Sequence, residues 1–162
     1  KKQKLENMNE LILSKLEVAK LEVAELARTG VQTLGDALGT ISDNVSYVNF
    51  NADATGSRVI TMPSAIAGRN FKAFWSVEQA TSDRVFTCAG TDTFEGTIFC
   101  SVAADGAGDG DEASIANTIV AITVVDDINI GSSIDFFCMA NGRWSVVGHL
   151  VYDAVGSIPT LA

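Results

Sequence analysis

The uneven placement of glycine and aromatic residues constrains the fold of this chain most. Residues 2–29 contain no Gly, Pro, Phe, Trp or Tyr, and strong helix formers (Leu, Glu, Lys and Ala) dominate there. Every aromatic residue lies between Tyr47 and Tyr152, and Gly30 is the first glycine. The chain is therefore predicted to join two segments of different secondary structure near residues 30–46.

Regular spacing of apolar residues predicts a helical oligomerisation segment over residues 1–45. Before Gly30 the spacing is seven, four, three, four and three, as in a coiled-coil heptad, and a similar rhythm resumes after a slip at Gly30. Gly35 and Gly39 weaken the second helical stretch. The predicted seam consists of Leu5, Ile12, Leu16, Ala19, Val23, Leu26, Val31, Leu34, Leu38 and Ile41. The alternative is an amphipathic helix that packs on the core of its own domain.

The second segment has the pattern of a β-domain. Eight short runs rich in Val, Ile, Thr and aromatic residues alternate with Gly, Asp, Asn and Ser between residues 46 and 152. The predicted strands are residues 46–51, 58–62, 71–77, 84–89, 97–102, 118–125, 133–139 and 144–151. Such spacing is typical of an antiparallel β-sandwich or barrel, which we predict for residues 46–162. Asn141-Gly142 between two apolar runs predicts a hairpin with a type I′ turn. The predicted fold class is α+β, a helical stem followed by a β-domain.

Charge excludes several classes of partner. The chain carries 20 acidic and 11 basic side chains, a net charge of −9, which disfavours binding to a nucleic-acid backbone. Residues 1–30 hold six basic and five acidic side chains, so nearly all of the negative charge belongs to the second segment. No apolar run approaches the ~20 residues of a membrane span. We therefore predict neither a nucleic acid nor a membrane as a partner.

Residues able to carry catalysis or hold a cofactor are few. His149 is the single histidine, and it lies in an apolar strand pattern without a nucleophile motif such as Gly-x-Ser-x-Gly. Residues 105–112 hold four carboxylates among three glycines; a Ca²⁺ loop is one interpretation, and a solvated loop is favoured. We predict a non-enzymatic protein with no catalytic residue, no metal ion and no cofactor.

The cysteine and tryptophan residues also favour structural roles. Cys88, Cys100 and Cys138 each lie within an apolar strand pattern, and their spacing fits no zinc site. Buried thiols are the favoured interpretation, and a Cys88–Cys100 disulfide is the alternative. Trp75 and Trp144 are predicted to be core or interface aromatics rather than a platform for stacking sugars.

Three stretches of the second segment carry a resemblance. Residues 59–71 end a strand in Ile-Thr-Met-Pro and continue through an Ala-containing, Gly-terminated turn to a Phe, and residues 131–137 and 141–148 form the distal part. Together they resemble a small β-domain of tailed-bacteriophage virion surface proteins, in which Ile-Thr-Leu-Pro is usual and the last hairpin carries a Gly and a Trp. The chain departs from that pattern at Met62 and in a shorter turn before Trp144.

This resemblance implies a homotrimer on the virion surface, made in the host cytoplasm. The expected function is that of a head decoration or cement protein, or of a head fibre. Such a protein binds the major capsid protein or another virion protein and displays its β-domain outward. The alternative is a fibre-tip adhesin that binds a glycan or protein of the host surface.

Overall fold

All regular elements in the described part of the chain are β-strands. The structure, a computed structural model, describes residues 30–102, 111–153 and 159–162. Twelve strands and no helix lie within these ranges. In chain order they are β1 (Gly30–Leu34), β2 (Gly39–Thr40), β3 (Val45–Phe50), β4 (Arg58–Thr61), β5 (Asn70–Trp75), β6 (Arg84–Thr87), β7 (Thr93–Val102), β8 (Asp111–Ile119), β9 (Ala121–Val124), β10 (Ser133–Ala140), β11 (Arg143–Tyr152) and β12 (Thr160–Leu161).

The predicted helical segment is wrong for residues 30–45, which contain two strands and the start of a third. The seam residues of this stretch lie on β1 or flank β2: Val31, Leu34, Leu38 and Ile41. Gly35 and Gly39 disfavour a helix, and the side chains of Leu34 and Ile41 are buried in the core instead. The other seam residues lie outside the described ranges: Leu5, Ile12, Leu16, Ala19, Val23 and Leu26. The described part of the chain is therefore all-β and not α+β.

Two mixed sheets form this fold. The seven-stranded sheet has the order β1-β3-β5-β10-β11-β7-β8, and the five-stranded sheet has the order β12-β9-β6-β4-β2. Parallel pairs such as β3–β5 and β7–β11 occur beside antiparallel pairs such as β5–β10 and β7–β8. Among the described strands neither sheet closes into a barrel. The prediction of a sandwich-like, β-rich fold is confirmed, and the predicted antiparallel topology is wrong.

The first six strands alternate between the two sheets, which explains the parallel pairs. β1, β3 and β5 lie side by side in the seven-stranded sheet, and β2, β4 and β6 lie side by side in the five-stranded sheet. A parallel pair needs a crossover connection, and here a strand of the opposite sheet supplies it in place of a helix. β1 and β2 thus belong to the same alternation between the two sheets as β3 to β6.

The predicted hairpin between β10 and β11 is confirmed, but its turn is not type I′. Ala140 pairs with Arg143 across Asn141-Gly142, and of the two turn residues only Gly142 has a positive φ, at 83°. A type I′ turn needs positive φ at both central positions. The side-chain oxygen of Asn141 accepts a hydrogen bond from Ala67 N–H at 2.9 Å, so a contact outside the hairpin holds the turn.

Aromatic side chains fill the space between the two sheets. Phe136 lies among other rings, with the centroid of Phe71 at 4.9 Å and that of Phe86 at 5.2 Å. Trp144 packs edge-on against Phe71 at 5.6 Å. Trp75 and Trp144 are 1% and 0% exposed, so the prediction that they are core aromatics is confirmed. Full burial of one such side chain stabilises the fold by roughly 1.5–3 kcal/mol.

One buried cation is built into the same core. Arg84 on β6 is 0% exposed, and its guanidinium donates to Gln79 Oε1 at 2.9 Å, Gly35 O at 3.0 Å and Ala52 O at 2.8 Å. The guanidinium carbon also lies 5.1 Å from the ring centroid of Phe50. Burial lowers the pKa of Arg84 from its usual value. The three acceptors come from separate loops, so this side chain ties those loops to the five-stranded sheet.

Candidate functional site

The outer face of the seven-stranded sheet presents aromatic and charged side chains together. Strand register places Tyr47 of β3 beside Lys72 of β5. The same row continues with Asp135 of β10 and Val147 of β11. Because side chains alternate along a strand, all four point away from the core. Tyr47 is 46% exposed and Val147 is 47% exposed, so this face offers apolar surface to a ligand or a partner.

A shallow groove lies over β3, β5 and β10, and we call it the Tyr47 groove. Its open volume is about 540 Å³. Tyr47 contributes an exposed ring and Phe137 a half-buried one. The groove is lined by Ser46, Tyr47, Asn70, Phe71, Lys72, Asp135, Phe136 and Phe137. It therefore combines aromatic surface with hydroxyl, amide, ammonium and carboxylate groups.

The charges in and beside the Tyr47 groove are paired. Lys72 Nζ lies 3.2 Å from Asp135 Oδ2, with side chains 40% and 49% exposed. A smaller depression of about 120 Å³ adjoins the groove and shares Ser46 and Asn70 with it. There Arg69 Nη1 lies 3.2 Å from Asp43 Oδ1 and donates to Ser64 O at 2.5 Å. The Lys72–Asp135 pair is half-exposed, and in the second pair Asp43 is 67% exposed whereas Arg69 is 16% exposed. Lys72 and the two carboxylates therefore retain hydrogen-bonding capacity toward a ligand.

A second apolar area lies farther along the same face. Phe99 of β7 pairs with His149 of β11, and Val147 lies two residues before His149. Phe99 is 50% exposed and Val147 is 47% exposed. We call these three residues the β7–β11 patch. The patch is suited to contact with another protein, because aromatic side chains are enriched in protein interfaces, where they bury a large apolar area.

A serine–histidine contact lies at the edge of this patch. Ser101 Oγ lies 3.3 Å from His149 Nε2, and both side chains are on the solvent side of the sheet. Among the described residues no carboxylate forms an ion pair with His149. β11 forms backbone hydrogen bonds with β10 on one side and with β7 on the other. Its N–H groups are therefore used within the sheet and are not directed at a bound oxyanion. The Ser101–His149 contact adds polar groups to the patch.

The structure separates the predicted seam residues that it describes. Val31 and Leu38 are 59% and 69% exposed, whereas Leu34 and Ile41 are 8% and 1% exposed. They lie on strands and loops and share no helical face. Val31 pairs with Tyr47 across β1 and β3, so it extends the apolar surface beside the Tyr47 groove.

Two other features of the sequence add no described site. Residues 105–110 of the acidic segment lie outside the described ranges, and Glu112 is exposed on β8. Within residues 30–102, 111–153 and 159–162, no cluster of three or more His, Cys, Asp or Glu side chains is arranged to hold a metal ion. No helix long and apolar enough to cross a membrane occurs in the same ranges.

The cysteines are buried thiols, as predicted, and the alternative Cys88–Cys100 disulfide is wrong. Burial, together with a smaller contribution from the charge of Asp92, raises the pKa of Cys88 to about 12. Burial also raises the pKa of Cys138, whose thiol donates to Ala140 O at 3.0 Å. Thiols with raised pKa values are poor nucleophiles, so Cys88 and Cys138 act as core residues.

The sequence did not predict the Tyr47 groove or the β7–β11 patch, although the alternation of residues in β3 indicates an exposed Tyr47. In β3 the buried residues Val48 and Phe50 alternate with Tyr47 and Asn49, which predicts an outward Tyr47. Its neighbour Lys72 lies on a parallel strand, and nothing local in the sequence indicates that pairing.

Comparisons with known proteins add no relative to this picture. No protein family, no curated protein and no solved structure matches the chain.

Proposed function

We propose that this chain is a non-enzymatic structural protein of a tailed-phage virion, a homotrimer that decorates or cements the capsid shell. The observation that carries the proposal is the β7–β11 patch, an exposed apolar area on a domain whose inward aromatics are fully packed. Exposed apolar patches of this kind mark sites of contact with other proteins. The patch supplies the contact between copies.

The stretches that resemble virion proteins support this class, because they pack together. Gly142 N–H donates to Ala65 O at 2.9 Å, and Ala67 N–H donates to the side chain of Asn141. Residues 59–71 and 141–148 thus act as one structural unit, as expected if both stretches belong to one domain type. The number of copies, three, comes from the resemblance.

The charge of the chain supports contact with protein rather than with nucleic acid. Residues 31–162 carry five basic and fifteen acidic side chains. A surface of that sign repels phosphate and keeps copies from associating nonspecifically. An apolar patch on such a surface then provides the specific contact. In a threefold ring the patch of one copy meets a different surface of the next, so the assembly closes.

The first test is the mass of the full chain in solution, measured by light scattering. We expect the mass of three chains, and the mass of one chain for the double variant Phe99→Asp/Val147→Asp, because buried unpaired carboxylates are costly. Val59→Asp is the matched control, since Val59 is 44% exposed on β4 of the other sheet. A single-chain mass for the unmodified protein contradicts the homotrimer, and a trimeric double variant removes the patch from the interface.

The second test is attachment to the shell. We expect saturable co-sedimentation of the purified full chain with empty capsids of the phage that encodes it. We also expect the chain in purified particles, with symmetric density on the head by electron microscopy. Density at a fibre tip instead of the head contradicts decoration and favours the adhesin alternative.

A further inference from the structure

We propose that the Tyr47 groove binds a neutral oligosaccharide. Tyr47 presents a ring that is 46% exposed, and Phe137 adds a half-buried ring in the same groove. The apolar C–H face of a sugar ring packs on such an aromatic surface, while its hydroxyl groups need hydrogen-bonding partners. The groove supplies these through Lys72, Asp135 and Asn70.

The pairing of charges argues for a ligand without net charge. Lys72 and Arg69 each already lie 3.2 Å from a carboxylate, of Asp135 and Asp43 respectively. An anionic ligand has to displace a carboxylate or lie beside it, and a cationic ligand meets an ammonium or guanidinium group. A sugar hydroxyl donates to a carboxylate and accepts from an ammonium group at the same time, so it fits a pair that stays intact.

The shape of the surface argues for a chain of sugars rather than one. The groove of about 540 Å³ and the depression of about 120 Å³ share Ser46 and Asn70, so they form one continuous path. A short oligosaccharide lying along it contacts Tyr47 at one end and reaches Arg69 at the other.

This inference does not depend on the proposed role in the capsid. The Tyr47 groove lies over β3, β5 and β10, whereas the β7–β11 patch lies on the next two strands, and the two meet where Asp135 pairs with Val147. A virion decoration protein with a glycan-binding groove is compatible with both proposals, and each can fail alone.

Binding is tested on the full chain with an array of neutral oligosaccharides of glucose, galactose, mannose and N-acetylglucosamine, together with their sialylated counterparts. A binding neutral oligosaccharide is then titrated calorimetrically as a monovalent ligand. We expect Tyr47→Ala to weaken its affinity at least about tenfold and Tyr47→Phe to weaken it by no more than about threefold, because the ring carries the contact. Asp135→Asn weakens it as well, through loss of a charged acceptor.

Phe99→Ala is the matched control, because Phe99 is 50% exposed on the same face and lies outside the groove. It leaves the monovalent affinity unchanged even where it lowers the mass of the assembly, and Tyr47→Ala leaves the mass unchanged. No binding to any neutral oligosaccharide overturns the proposal, as does an affinity that Tyr47→Ala does not alter. Binding restricted to sialylated glycans overturns the neutral ligand.

Discussion

The two faces of the seven-stranded sheet are both aromatic, but they use their rings differently. On the inner face Phe71, Phe136 and Trp144 lie within 4.9–5.6 Å of one another in successive contacts and are at most 4% exposed. On the outer face Tyr47 and Phe99 leave about half of their surface in water. Only rings of the second kind have surface left for a partner. Aromatic composition alone therefore does not separate stability from function, and strand register does.

Polar groups repeat the same contrast. The guanidinium of Arg84 is buried, and Gln79, Gly35 and Ala52 accept its hydrogen bonds. Lys72 has one ion-pair partner, Asp135, and remains 40% exposed. The first arrangement has no room for a ligand, since its contacts are made within the fold. The second retains donors and acceptors that face solvent.

The largest expected effect comes from two adjacent residues on opposite faces. Phe136→Ala removes a ring that contacts Phe71 and Phe86, and we expect it to lower the free energy of unfolding by about 3–5 kcal/mol. Phe137→Ala acts on a half-buried outward ring, so we expect about 1 kcal/mol. Urea unfolding followed by fluorescence measures both.

Phe136→Leu covers the case in which Phe136→Ala does not fold. It keeps most of the apolar volume, and we expect it to fold with a loss intermediate between those of the two alanine variants. Equal losses for Phe136→Ala and Phe137→Ala contradict the assignment of the two faces.

Replacement of the two cations gives the next effect in size. Arg84→Met removes the donor of Gly35 O and Ala52 O and one of the two donors of Gln79 Oε1, which keeps Trp75 Nε1, and we expect a loss of about 3 kcal/mol in unfolding free energy. Lys72→Met removes a half-exposed ion pair, which is worth about 0–1 kcal/mol. Chemical unfolding at neutral pH compares the two variants. A loss for Lys72→Met as large as that for Arg84→Met contradicts the contrast between the two groups.

Strand positions were predictable because they depend on local composition. The predicted runs at residues 133–139 and 144–151 correspond closely to β10 and β11. The run at residues 118–125 was predicted as one strand, but it divides at Val120 between β8 and β9, which belong to different sheets. That run is apolar on both faces because the chain changes sheets within it. The local pattern of apolar residues does not predict where the chain passes from one sheet to the other.

Strand pairing and the site were not predictable, because both depend on distant parts of the chain. Turn residues such as Gly, Asp and Asn occur both in hairpins and in connections that cross to the other sheet, so they do not distinguish the two. The spacing of Leu34 and Ile41 fits a helix by count, yet both side chains are buried between sheets. Tyr47 and Lys72 are brought together only by the crossover through β4.

The smallest expected effect concerns Asp36, an exposed carboxylate in the loop between β1 and β2. The pH dependence of its contribution to stability tests the contrast between exposed and buried polar groups. Asp36 accepts hydrogen bonds from Thr55 Oγ1 at 2.8 Å, Thr55 N–H at 3.1 Å and Arg58 Nε at 2.9 Å. The Thr55 hydroxyl, then the Thr55 amide and Arg58, hold the pKa of Asp36 below its usual value of 3.8. The ionised carboxylate therefore stabilises the folded chain above its unfolded pKa, and that contribution is lost as pH falls through the folded pKa.

Asp36→Asn is accordingly expected to lower the urea midpoint slightly at about pH 7, and the difference from the unmodified chain should shrink below about pH 4 and vanish once the carboxylate is protonated. Salt should reduce the part that comes from Arg58, since the side chains of this pair are about a quarter to a third exposed. Glu78→Gln, at another exposed carboxylate, is the control and should leave the midpoint unchanged over the same range. A difference that persists below the folded pKa shows that the Asp36 contacts act by geometry and not by charge. Exposed ion pairs would then stabilise this fold through the geometry of their hydrogen bonds, as the buried Arg84 does. The contrast between exposed and buried polar groups would not hold.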